Sequence, residues 1–209
     1  MRITLLAISL FLLSACTPKI FKNMEKVGKV NITKAELYPI FVEADTVQSF
    51  NMEIDYKENN FAGILLVSRG ERPNSSQLIF TSYFGMTVFD FEINADSLVV
   101  NRCLDQMNKK MVISTLEKDL RTLFLYNVPE TMKAKKYQKG TLTGYKAKAN
   151  DGKAYYMVDD SARQLKKVYC PACIKALQID FKQYEQGFPS SIEMEHPKIG
   201  LKMKIEKLK

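Results

Sequence analysis

F-N-M-E-I-D-Y, residues 50–56, alternates apolar and polar side chains without a break. Phe50, Met52, Ile54 and Tyr56 fall on one side, and Asn51, Glu53 and Asp55 on the other. A strand sends successive side chains to opposite faces, so this segment predicts a β-strand with one greasy face and one wet face.

The same period runs outward from it. Glu58-Asn59-Asn60 predicts a turn, and Phe61–Arg69 a second strand that is apolar on both faces. Gly70–Ser75, with Pro73 and Asn74, reads as a loop before a third strand, Leu78–Phe84. Gly85 marks a tight turn or a bend. Thr87, Phe89, Phe91 and Ile93 then alternate with Val88, Asp90 and Glu92, Asn94-Ala95-Asp96 turns, and Leu98–Arg102 is a further strand. There the period changes. Ile113, Leu116, Leu120, Leu123 and Phe124 recur at three- and four-residue steps, which predicts one amphipathic helix over about 108–126, with Pro129 as its stop. After a basic link, Lys133–Lys139, come strand-like pieces at Thr141–Ala149, Ala154–Val158 and Leu165–Tyr169. Leu177, Ile179 and Phe181 alternate next. Ile192, Met194 and His196 follow, and then Ile199, Leu201, Met203 and Ile205; these last two sets predict a terminal hairpin.

Roughly ten antiparallel strands and one to three helices make this a mainly β chain. A greasy face carried along so many strands predicts a strongly curved antiparallel sheet, or an incompletely closed β-barrel. Its concave side must be covered, and the amphipathic helix is the natural lid. With 46% apolar and 26% charged residues the chain is globular. No composition break divides it, which predicts a single domain over 35–209. Lys and Arg outnumber Asp and Glu, 31 to 23, but the lysines are interspersed along strands. That pattern fits a solvated surface compatible with anionic lipid headgroups, and nucleic acid is not expected as a partner.

The N-terminus has its own logic. Arg2 precedes an apolar run, Ile3–Leu13, and Ser14-Ala15 precede Cys16. This is the order of a secretory signal, too short to span a bilayer. Leu13-Ser14-Ala15-Cys16 resembles the lipobox of bacterial lipoproteins. The resemblance implies a leader over 1–15 that is removed, a lipid anchor on Cys16, and a tether over 16–34. Thr17 follows where that sorting system would read Asp as retention, and no acidic cluster comes after it. The implied address is the outer membrane, on its periplasmic face.

The lipobox, Phe61–Arg69, the strand turning at Phe84-Gly85 into Thr87–Ile93, the helix and the terminal hairpin together resemble the LolA/LolB-type lipoprotein carriers. The resemblance is one of pattern and covers most of residues 35–209. It implies a half-barrel whose helices lid an apolar cavity, with a lipid or the acyl chains of lipoproteins as ligand. No functional residue of that family maps onto a single position here. By alternation, Leu65, Val67, Phe80, Phe89, Phe91, Met194, Leu201 and Met203 face inward, and Leu116, Leu120 and Phe124 form the helix stripe above them. These are the candidate cavity residues.

Chemistry has little to stand on. His196 is the one histidine, without a patterned nucleophile or carboxylate, and no G-x-S-x-G, H-E-x-x-H or phosphate loop is present. No catalytic residue, metal or cofactor is expected, apart from the lipid on Cys16. Cys170-Pro171-Ala172-Cys173 is the sharper signal. It reads as a structural disulfide, a redox centre, or half of a zinc site completed by Cys103 and His196. Strand patterning on both sides places it at a β-turn, without the helix N-terminus that lowers a redox thiol's pKa, which favours the disulfide. Three functions stay open: an apolar-ligand carrier, a non-enzymatic accessory lipoprotein of an envelope complex, and a thiol-disulfide protein.

Overall fold

The computed structural model describes residues 19–41, 47–56, 58–171, 176–197 and 199–208. The strands are β1 (Glu25–Thr33), β2 (Gln48–Tyr56), β3 (Asn59–Arg69), β4 (Ser76–Ser82), β5 (Thr87–Ile93) and β6 (Leu98–Cys103), followed by the helix α1 (Lys110–Leu123). Then come β7 (Thr131–Lys139), β8 (Leu142–Ala149), β9 (Gly152–Asp159), β10 (Gln164–Cys170), β11 (Leu177–Glu185), β12 (Phe188–His196) and β13 (Leu201–Lys207).

All thirteen belong to one antiparallel, strongly curved and unclosed sheet, in the order β1-β7-β8-β9-β10-β11-β12-β13-β2-β3-β4-β5-β6. Two meanders, β2–β6 and β7–β13, are joined where the last strand pairs with the second, Met203 opposite Ile54 and Ile205 opposite Met52. This register puts the inward residues of both strands on one face. It also leaves β6 at one edge and β7 next to the other, though they are neighbours in sequence. The link between them must therefore cross the concave face, and α1 lies in that link. Its stripe of Leu116, Leu120 and Leu123 is buried against the sheet. No helix among the described residues is long and apolar enough to cross a membrane.

The sequence-based bounds shift at this edge of the sheet: the segment expected to be a basic link, Lys133–Lys139, lies in β7, where lysines alternate with the buried Met132, Ala134 and Tyr137. The segment expected to be a tether contains β1, which pairs with β7 from Glu25–Gln138 to Thr33–Thr131. A bulge between Lys26 and Gly28 resets the alternation there, so Val27 is exposed while Val30 and Ile32 pack inward. A bulge hides a strand from a period-2 reading. Upstream, Phe21 is fully buried on the convex face between Tyr137 and Tyr155. Gly144 makes room for it: a Cβ at that position would lie 2.6 Å from the Phe21 ring.

Candidate functional site

The middle of the concave face is filled. Leu65, Val67, Phe80, Phe89, Phe91, Leu120, Phe124, Met194 and Met203 are all buried in one continuous core. Phe89 stacks on Phe91 with ring centroids 4.4 Å apart, and Phe80 lies 5.4 Å from Phe89. None of these nine lines the cavity described next, so that opening lies elsewhere than the expectation placed it. Ring-on-ring packing of side chains this large fills much of the space inside the curl.

The open space lies at one end. A cavity of about 510 Å³ sits beneath the first half of α1. Its walls are Ile54 and Tyr56 at the end of β2, Phe61 on β3, Met107, Val112 and Leu116 at the helix, and Ile199 and Leu201 at the start of β13. Leu116 and Leu201 are thus the two candidate cavity residues that the structure places in it. Its polar members are few: Asn59, Gln106, Lys109 and Thr115. The Thr115 hydroxyl is engaged, donating to the Met111 carbonyl at 2.8 Å.

The two ends of α1 explain why the space opens here. At the far end Phe124 stacks on Phe41 with centroids 4.4 Å apart, and Phe41 packs in turn on Phe50 and Phe188. The Tyr126 and Ser76 hydroxyls meet at 2.9 Å, and Leu125 turns the chain with φ 53°. At the near end no side chain caps the helix and no acid lies in its first turn, while Lys109 and Lys110 do. Positive charge at a helix N-terminus is unfavourable. One end is therefore clamped, and the end over the cavity is the weaker one.

Sequence reasoning missed a pair beside this cavity. His196 Nε2 lies 2.8 and 2.9 Å from the two carboxylate oxygens of Asp119, both side chains being 1% exposed. Asp119 is one helical turn beyond the cavity-lining Thr115, and His196 pairs with the cavity-lining Leu201 across the hairpin. Burial pushes the Asp119 carboxyl above the usual carboxylate range, and the hydrogen bond and charge of His196 offset this in part. The pair ties the lid to the terminal hairpin. Nothing local could have signalled it, since the partners are separated by 77 residues.

The cysteines stay apart from this site. Cys170 is buried at the end of β10; Cys173 and Cys16 lie outside the described residues. Cys103 is half-buried at the end of β6, where burial, then the charge of Asp105, raises its thiol pKa. Among the described residues, no group of three His, Cys, Asp or Glu side chains can hold a metal.

No protein-family model and no curated protein matches the chain. Among solved structures it is similar to a DUF1329 family protein from Desulfovibrio piger ATCC 29098, crystallised at 1.75 Å resolution. That likeness spans 78% of this chain and 84% of the other, at 10% identity and a TM-score of 0.40.

Proposed function

We propose that the protein is a lipid-anchored outer-membrane lipoprotein that shelters one apolar chain, an acyl tail of a lipid or lipoprotein, without chemistry. The observation that carries this is the apolar cavity of about 510 Å³ under the uncapped end of α1. It has the size and the sparse polar lining of a ligand site. Its walls suit a hydrocarbon tail, and Lys109 beside the helix start suits an anionic head. The weak helix end provides a route in, because lids are drawn from the least stable parts of a fold. The lipobox resemblance at Cys16 supports the anchor and the periplasmic address. In this reading the protein works as a LolB-like carrier or receptor.

The filled centre of the half-barrel favours a second reading, an accessory lipoprotein of an envelope complex. A fluorescent fatty-acid analogue separates them. The carrier reading expects saturable uptake by the purified protein, weakened roughly tenfold or more by Val112→Trp, whose ring would narrow the cavity from its helix wall. The melting temperature of that variant should stay near the native value, since Val112 is only half-buried. Phe91→Glu, by contrast, buries an unpaired carboxylate in the core and should unfold the domain. Absence of saturable uptake in the folded native protein leaves the accessory reading.

A further inference from the structure

The convex face of β1, β7, β8 and β9 carries six lysines around one open groove of about 690 Å³: Lys29, Lys133, Lys135, Lys146, Lys148 and Lys153. They are not scattered. Lys29 stands directly opposite Lys135, Lys135 opposite Lys146, and Lys148 opposite Lys153. Like charges facing each other across a strand pair destabilise a sheet. Four lysines on the later strands are paired with carboxylates. Lys167 has Asp180 at 2.7 Å, Lys182 has Glu193 at 2.5 Å, Lys202 has Glu195 at 3.6 Å and Lys204 has Glu206 at 2.9 Å. Among the described residues no carboxylate forms an ion pair with any of the six groove lysines. One of the six, Lys146, has its Nζ 5.6 Å from the Tyr155 ring.

The chain also enters the fold from this face. Tyr137, Gly144 and Tyr155 alternate onto the same side as the lysines, and together they hold Phe21. Lys19, where the described chain starts, is three residues beyond Cys16. The first described residues, up to Phe21, thus join the fold on the lysine-bearing side of the sheet.

We propose that this face lies on a membrane, with the six lysines engaging the phosphate groups of anionic lipid headgroups. The proposal is independent of the cavity reading, because no groove lysine lines that cavity. Paired rows of lysines match a plane of phosphates better than they match one another. A juxtamembrane basic cluster draws a protein onto an anionic leaflet and is screened by salt.

The test uses the Cys16→Ser protein, purified from the expressing cells, in vesicle sedimentation. It should bind phosphatidylglycerol-rich vesicles and not phosphatidylcholine vesicles, and raising salt should release it. Replacing Lys133, Lys135, Lys146 and Lys148 with Gln should weaken binding by roughly a hundredfold. The matched control replaces Lys167, Lys182, Lys202 and Lys204 with Gln; it removes the same charge and should bind nearly as the parent does. Circular dichroism and thermal melts should show both variants folded, the groove variant being no less stable than the parent. Equal binding to both vesicle types, or equal loss in the two variants, overturns the proposal. Release by millimolar inorganic phosphate at constant ionic strength would assign the groove to free phosphate and overturn it. Binding to a soluble sulfated polysaccharide but not to vesicles would overturn it equally.

Discussion

Asp119 and His196 show what one buried contact commits the protein to. The Asp119 carboxyl is raised in the folded state, chiefly by burial. A raised folded pKa means that the group's contribution to stability is complete below the ordinary aspartate range. It is lost as pH rises through the folded value. Urea unfolding followed upward from the ordinary aspartate range should therefore show stability falling along that limb. Asp119→Asn should flatten the limb, since an amide keeps an acceptor for His196 and has no charge to bury. Asp119→Ala removes the acceptor and leaves a hole, and should cost about 3–5 kcal/mol. An Asp119→Asn variant with the native pH profile would show that the carboxyl does not titrate against folding.

At the scale of elements, α1 is the informative one. The three- and four-residue spacing expected a helix over about 108–126, and the helix runs over Lys110–Leu123. The weakness of its start is written in the residues themselves. Lys109 is the N-cap, where Ser, Thr, Asp or Asn would accept from a free backbone N–H. Lys109→Asp supplies that acceptor and removes the unfavourable charge, so stability should rise by about 1 kcal/mol in chemical denaturation. The same change takes away the cation beside the cavity, and uptake of an anionic fatty-acid analogue should weaken while that of a neutral one should not. Unchanged stability would mean that this end of the helix is held by packing and not by its cap.

For the whole molecule, the open sheet separates three surfaces. The cavity lies at the weak end of the lid, the packed centre holds the fold, and the lysine groove covers the outside of the edge formed by β1 and the strands after it, β7–β9. Every strand among the described residues lies between Glu25 and Lys207, and position 16 belongs to none of them. The native chain isolated from its host should carry acyl mass and partition with membranes. Cys16→Ser should lose the acyl mass, keep the native melting temperature and pass at least partly into the soluble fraction at high salt, where the lysine groove is screened. Absence of acyl mass, with identical fractionation of the two proteins, would remove the anchor from the account.

Local pattern determined much of the architecture. Alternation at Phe50–Tyr56, Thr87–Ile93 and Leu201–Ile205 specified strands and their inner faces, and the helical stripe specified the lid, because side-chain direction along a strand or helix is a local property. The same alternation could name inward residues but could not tell a packed interior from an empty one. Volume depends on how several strands curve together, so only the folded sheet showed Phe80, Phe89 and Phe91 filling the centre and the cavity displaced to Ile54, Val112 and Leu201. β1 was hidden because its bulge breaks the period. Asp119 meeting His196, and Lys29 meeting Lys135 and Lys146, depend on strand order. That order is set when β13 pairs with β2 and carries each distant segment into its place.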